Sequence, residues 1–170
     1  APVLWSVGTA VSGLSNITVA WPAHQAGDIG LLFVESANQA AALGTPNGFV
    51  EVSTSPQGVG PSGNTLSTRL SVFWARATSS AMASPIVTDP GNHAYGVILV
   101  FRNVISSGNP WDVNTGGVKT VASASVSIPG PVTTVPQTLI VTGVSSDVDS
   151  AAAFASGWTN AALTNITERT

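Results

Sequence analysis

The chain has 170 residues and a mass of 17.1 kDa, which suits one domain, and its lack of cysteine excludes thiol catalysis, disulfides and thiolate metal sites. Of its residues 44% are hydrophobic and only 8% are charged, against about 25% charged in an ordinary soluble protein. The polarity of its surface must therefore come mainly from the hydroxyl groups of serine and threonine. The formal net charge is −3 and Lys and Arg form no cluster, so we expect no nucleic-acid partner.

The first residues predict a strand with one apolar face. Val3, Trp5, Val7 and Val11 fall on one face of a strand with a period of two residues, and the other face holds Ser6, Gly8 and Ser12. We interpret residues 1–11 as an N-terminal arm or a strand exchanged between subunits. The opening residues show neither the basic nor the long apolar region of a signal peptide, so none is visible.

Further strands are predicted along the rest of the chain. Residues 122–128 alternate Ala, Val or Ile with Ser, which is typical of a strand with one face in water. The Ala-rich segments 36–43 and 150–155 are too short for stable helices and are predicted as loops or single turns. No apolar run approaches the roughly 20 residues of a membrane helix, so we expect no membrane partner. Continuous apolar runs, typical of central strands covered on both sides, occupy residues 29–35, 70–75, 97–101 and 139–144.

Many short strands joined by turns rich in Gly and Pro indicate an all-β protein. Two antiparallel sheets, each with one face in water, account for the alternation of apolar and polar residues. The sequence therefore predicts a single domain over residues 1–170, folded as an antiparallel β-sandwich with jelly-roll as the favoured strand order.

The residue types that carry chemistry show no convergent spacing. His24 and His93 each stand beside turn residues, whereas a catalytic triad needs an imidazole close to a carboxylate and a nucleophile. Asp28 is interpreted as a turn residue before the strand that follows. We interpret most of the other acids as turn formers or surface partners of the arginines, so we expect no catalytic residue, no enzymatic activity and no cofactor. These acids are Glu35, Glu51, Asp89, Asp112, Asp147, Asp149 and Glu168.

Two small motifs could carry a metal or a modification. Asp147 and Asp149 could share a hard cation such as calcium on a loop, although solvated loop acids are commoner and we assign no metal. Asn16 and Asn165 each begin an Asn-X-Thr motif and are candidate glycosylation sites.

Five tryptophans are candidates for contact with a partner or a sugar. Trp5, Trp21 and Trp74 lie in phase with aliphatic neighbours, which indicates a core or a subunit contact. Trp111 and Trp158 lie next to loops, so these two are predicted to contact a ligand or a partner.

Five segments of the chain occur in a distinctive order. They are residues 26–34 (AGDIGLLFV), 45–49 (TPNGF), 69–78 (RLSVFWARAT), 100–104 (VFRNV) and 109–112 (NPWD). This order resembles a β-sandwich family common among the virion proteins of tailed bacteriophages, and the resemblance covers about residues 1 to 168. Asn103 stands where that family usually has Gly, and Phe49 stands where it usually has Trp.

The resemblance implies a non-enzymatic structural protein of the virion that binds copies of itself and other virion proteins such as the major capsid protein. Capsid decoration is favoured over a tail component. Family members continue past residue 168 with further strands, so we expect either a fragment or a sandwich completed by a strand from another subunit, with residues 1–11 as the donor. The alternative is a carbohydrate-binding or adhesive module of a phage tail or a bacterial surface filament.

Overall fold

The computed structural model describes residues 1–37, 39–44, 48–59, 67–88, 93–121, 123, 125–146, 160–161 and 163. Within these residues the regular structure is entirely β, and no helix is present that could cross a membrane. The all-β prediction is confirmed. The ten strands are β1 Val3–Val7, β2 Val11–Gly13, β3 Ile17–Thr18, β4 Ile29–Ser36, β5 Ala42–Leu43, β6 Val50–Glu51, β7 Gln57–Val59, β8 Thr68–Arg76, β9 Ile86–Thr88 and β10 Ala94–Arg102.

A seven-stranded antiparallel sheet forms most of the structure, with β1, β10, β4, β8 and β6 in that order. β2 lies on the same side of β10 as β1, and β7 lies on the same side of β8 as β6. The apolar runs predicted as central strands at 29–35, 70–75 and 97–101 are β4, β8 and β10. That prediction is confirmed, because each of these strands has a neighbour on both sides.

A three-stranded sheet of β3, β9 and β5 packs on one face of the large sheet, which we call the inner face. The pairing places alternate residues of β4, β8 and β10 on that face, as in the pair Leu32 and Phe73 and the pair Leu32 and Ile98. The two sheets therefore form a β-sandwich, while the jelly-roll order stays a prediction. The core between them consists of Ile17, Val19, Leu32, Val34, Phe73, Val87, Ala94, Ile98 and Val100.

The opposite face of the large sheet, which we call the outer face, is also apolar. The chain after β10 covers part of it: the rings of Trp74 and Trp111 meet edge to face at 5.5 Å, and a methyl group on Gly143 would lie 2.7 Å from Phe33 Cε1. Coverage on both faces explains why the central strands read as continuous apolar runs. The residues of this face are Ile29, Leu31, Phe33, Leu70, Val72, Trp74, Val97, Leu99 and Phe101.

The chain that follows β10 departs from the sequence prediction. Residues 125–128 and 139–144 form no strand, so the predictions of strands there are wrong. Residues 122–128 consist largely of Ala and Ser, which offer little apolar area to bury, and prolines at 129, 131 and 136 remove backbone donors that a sheet needs. The Ala-rich segment 150–155 and most of the chain after it lie outside the described residues.

Trp21 closes the sandwich over Gly30. A methyl group on Gly30 would lie 2.4 Å from Trp21 Cη2, so only glycine lets the indole rest on β4 at this point. The Trp21 ring also contacts Phe49 at 5.3 Å and His24 at 4.8 Å, measured between ring centroids. The indole therefore joins the core to the loops at its rim.

Gly30→Ala should lower the free energy of unfolding by about 1–3 kcal/mol, because the added methyl group displaces Trp21 from a packed site. Urea denaturation followed by tryptophan fluorescence measures the change. Gly130→Ala is the matched control, since a methyl group there meets no atom within 4 Å. Equal stability of the two variants would contradict the packing described for Trp21.

Candidate interaction surface

Three of the segments that carry the family resemblance meet at the turn into β4. They are residues 26–34, residues 69–78 and, from the end of β10, residues 100–104. Gly27 has φ 91°, in the left-handed region that favours glycine, and directs the chain into β4. Its backbone N–H donates to the carbonyl of Ala77 at 2.8 Å, and the N–H of Ala77 donates to the carbonyl of Asp28 at 2.8 Å. With Arg102, these residues form what we call the Asp28 corner.

A buried ion pair holds the Asp28 corner together. Asp28 is 2% exposed, and Arg102 donates from Nε to Oδ1 at 2.9 Å and from Nη2 to Oδ2 at 2.7 Å. The backbone N–H of Gln25 donates to the same carboxylate at 2.9 Å. The hydrogen bonds from Arg102 hold the pKa of Asp28 below its ordinary value even though burial acts in the opposite direction.

Sequence reasoning placed Asp28 at a turn but missed this pair. Asp28 does precede β4, and its carboxylate points to a partner distant in sequence. The signal is present in the sequence, because Asp28 directly precedes one apolar run and Arg102 directly follows another. Antiparallel neighbours bring the start of one strand beside the end of the next.

Arg102 also supports an exposed aromatic ring. Its guanidinium carbon lies 3.5 Å from the centroid of the Trp5 ring, which is a cation–π contact. Trp5 is 51% exposed. Because Asp28 fixes the guanidinium, the indole rests on a rigid support while about half of its surface faces solvent.

Trp5 belongs to β1, an edge strand with apolar side chains on both of its faces. A register shift between Leu4 and Ser6 places Val3 opposite Arg102 but Val7 opposite Leu99, and these two β10 residues point to opposite faces. Val3 is 42% exposed and Val7 is 39% exposed.

The prediction that Val3, Trp5, Val7 and Val11 share one face is therefore wrong. Val3 and Trp5 lie on the face of the large sheet to which Arg102 points, and Val7 lies on the opposite, outer face. Val11 pairs opposite Gly96 and packs against the core. Residues 3–7 and 11–13 pair with β10 of the same chain, so the exchange of this arm between subunits stays a prediction.

A second polar cluster lies on the outer face at the other end of β4. His93 Nε2 is 2.8 Å from Glu35 Oε2, and Thr68 Oγ1 donates to Glu35 Oε1 at 2.9 Å. Ser145 Oγ lies 3.2 Å from Thr68 Oγ1. Burial raises the pKa of Glu35, with the hydrogen bond from Thr68 and the charge of His93 acting against it.

The order of groups in this cluster differs from that of a catalytic triad. The carboxylate of Glu35 stands between the imidazole of His93 and the hydroxyl of Thr68, whereas activation of a nucleophile needs the hydroxyl on the imidazole. The cluster joins β4, β8 and Ser145, so it fastens the chain after β10 to the outer face.

His24 is engaged in packing. Its Nδ1 lies 2.7 Å from the carbonyl of Pro22, and the backbone N–H of Met82 donates to Nε2 at 3.1 Å. Both ring nitrogens therefore have backbone partners. In the part of the chain that the structure describes, no group of three His, Asp or Glu side chains could hold a metal ion.

The remaining predicted site residues are placed as follows. Trp111 is half-buried and packs against Trp74, so its ring is already in contact with the protein's own sheet. Asn16 is exposed in the turn before β3, and its glycosylation stays a prediction. Trp158, Asp147, Asp149 and Asn165 lie outside the described residues.

Comparison of the chain with protein-family models, with curated proteins and with solved structures found no match. Function must therefore be argued from the surfaces themselves. Of the described surfaces, the Trp5 edge combines exposed apolar area with rigid support, and we take it as the candidate interaction surface.

Asp28→Asn should lower the free energy of unfolding by about 1–2 kcal/mol, because the buried carboxylate loses its charge-assisted hydrogen bonds from Arg102. The stabilisation of a carboxyl whose pKa is lowered on folding is present above its ordinary pKa of 3.8 and is lost as the pH falls through the folded value. Wild-type stability should therefore fall below about pH 4, and the variant should lack that part of the acid dependence. Denaturation at several pH values measures both effects.

Glu51→Gln is the control for this prediction, since Glu51 is exposed and accepts a hydrogen bond from Ser55 at 2.8 Å. It should leave stability within about 0.5 kcal/mol of wild type. An Asp28→Asn protein as stable as this control would show that the ion pair does not hold the corner.

Proposed function

We propose that this protein is a non-enzymatic structural subunit of a bacteriophage particle that acts through contacts with copies of itself and with other particle proteins. Capsid decoration is the favoured role, ahead of a tail component. The observation that carries the proposal is the half-exposed Trp5, held on Arg102 in an edge strand without charge.

A rigidly held aromatic side chain is well suited to binding another protein. Tryptophan and arginine are enriched at the energetic centres of interfaces, and a ring that is already fixed loses little conformational entropy when it is buried. The strand that carries Trp5, Val3–Val7, has no charged side chain, so burying this edge requires no desolvation of a charge from the strand. This combination favours a protein that assembles over one that binds a charged ligand.

The engagement of charged side chains within the fold supports a non-enzymatic role. Asp28 and Arg102 hold the Asp28 corner, and Glu35 holds His93. Arg76 donates to the carbonyls of Ile105 at 2.6 Å and Gly108 at 3.2 Å, which fixes the chain after β10. The groups that could perform acid–base chemistry in these clusters thus have structural partners.

The backbone conformation supports the family resemblance. Asn103 has φ 62°, a left-handed conformation that Gly adopts freely and Asn tolerates better than most residues. The resembled family has Gly at this position, so the substitution is compatible with the same turn. Gly27 and Gly48, from two other segments of the resemblance, have φ 91° and 71°.

The carbohydrate-binding alternative is supported by the same tryptophan. An exposed indole face can stack on a sugar ring as well as on a protein surface, and Trp5 presents such a face. Trp111, which sequence reasoning selected for this role, is in contact with Trp74. A test of function must therefore include glycans.

Particles purified by density gradient from the phage or prophage that encodes this chain should contain it in a fixed ratio to the major shell protein, as measured by quantitative mass spectrometry. Trp5→Ala should weaken its attachment about 30-fold, the effect of losing roughly 2 kcal/mol at an interface centre. Leu14→Ala is the control, because Leu14 is 75% exposed in a turn and has no support like that of Trp5.

Two results would overturn the proposed function. One is the absence of the protein from purified particles. The other is specific binding on a glycan array that Trp5→Ala or Trp111→Ala abolishes, which would establish the adhesive alternative.

A further inference from the structure

The chain after β10 contains a long uncharged segment, residues 125–142, that exposes large apolar side chains. Within the described residues from 103 to 145, no backbone N–H or C=O bonds to another backbone group. The N–H groups of Ser125, Thr134 and Val135 donate to the side chains of Ser123 and Asp112 instead. Exposed apolar side chains next to unpaired backbone groups are the features that template pairing with another strand, and residues 138–142 combine both.

Residues 138–142 are the part of this segment best suited to form a strand. Their sequence is Thr-Leu-Ile-Val-Thr, in which β-branched residues predominate. Leu139, Ile140 and Val141 are 43%, 47% and 41% exposed. Apolar residues at successive positions give a strand with two apolar faces, so its partner must be apolar on both faces as well.

The free edge of β1 meets this requirement. The N–H of Gly8 donates to the carbonyl of Ile98 at 2.8 Å, and because backbone groups alternate in direction along a strand, those of Val7 point away from β10. Val3 and Trp5 lie on one face of this edge and Val7 on the other. β1 has the same length as residues 138–142, and neither contains a charged residue.

The two parts cannot pair within one chain. Gly143 lies against Phe33 and Leu70, and Ser145 lies against Thr68, so residue 142 is held over β4 and β8. β1 lies three strand positions from β8, a distance of about 14 Å at the usual spacing. The β1 that receives residues 138–142 must belong to another copy of the chain.

We propose that residues 138–142 of one copy add as a strand to the β1 edge of a second copy, extending its large sheet. This inference rests on the proposed function, for which it names the partner and the contact. The donating and receiving surfaces differ, so the contact is head to tail and repeats from copy to copy until a ring closes or a filament grows. The N-terminal strand, predicted from sequence as a donor, is the receiving edge.

The absence of cysteine allows a direct test by disulfide cross-linking. Thr138→Cys and Val7→Cys proteins are purified separately, mixed and oxidised, with Thr142→Cys as a second donor position. Full pairing of the two five-residue segments places residue 138 opposite Val7 if the strands are antiparallel and residue 142 opposite Val7 if they are parallel. Paired strands bring Cα atoms to about 5 Å, within disulfide range. The mixtures should yield a dimer about tenfold faster than Ile86→Cys with Val7→Cys, the control in which the donor thiol lies in β9 of the small sheet with a similar exposure of 43%.

Every outcome of the mixing experiment bears on the inference. Dimers from Val7→Cys alone would mean that two β1 edges pair with each other, and dimers from Thr138→Cys or Thr142→Cys alone would mean that two donors pair. Either result overturns the head-to-tail contact, as does a mixture that cross-links no faster than the control. Circular dichroism and thermal melting verify that each variant is folded before mixing.

A second measurement does not depend on cysteine. Ile140→Lys should convert the oligomer of the full chain to monomer in size-exclusion chromatography with light scattering. Ile86→Lys, at a residue of β9 with a similar exposure of 43% against 47%, should leave the oligomer unchanged. A wild-type protein that is monomeric at all concentrations would overturn the inference. Particles that contain the protein without these cross-links would refute the strand contact and leave the proposed function standing.

Discussion

The contact between Asp28 and Arg102 is the constraint on which the described end of the sandwich depends. A carboxylate that is 2% exposed is tolerated there only because a guanidinium and a backbone N–H neutralise and hydrogen-bond it. The pair fixes the start of β4 against the end of β10, and the backbone bonds of Ala77 add the end of β8. The central strands thus share one fixed end, from which the inner and outer faces both extend.

The same pair connects the core to the surface. Arg102 presents one side to Asp28 and lies under the Trp5 ring, so a buried charge determines the position of an exposed aromatic. A change in the core at this point would therefore alter the edge strand. Arg102 therefore has two roles in a chain with few charges: it neutralises the buried Asp28 carboxylate and it orients the exposed Trp5 ring.

Sequence patterns located the central strands because burial on both faces produces long apolar runs that only a covered sheet explains. Sequence patterns gave wrong or incomplete predictions where contacts between distant parts of the chain determine the structure. The extra residue between Leu4 and Ser6 reverses the alternation of β1, which no local pattern reveals. Residues 139–144 have the composition of a strand but lack a partner within the described chain. The Asp28 corner was missed because its two residues are far apart in sequence, although each adjoins a strong strand signal.

The extra residue in β1 has a consequence for the lifetime of any assembly that forms there. Since apolar side chains project from both sides of this edge, a strand laid along it would be shielded from water above and below. Release would then require breaking the whole ladder before solvent could replace any of its bonds. Such contacts dissociate slowly, so an assembly held together by them would persist on dilution.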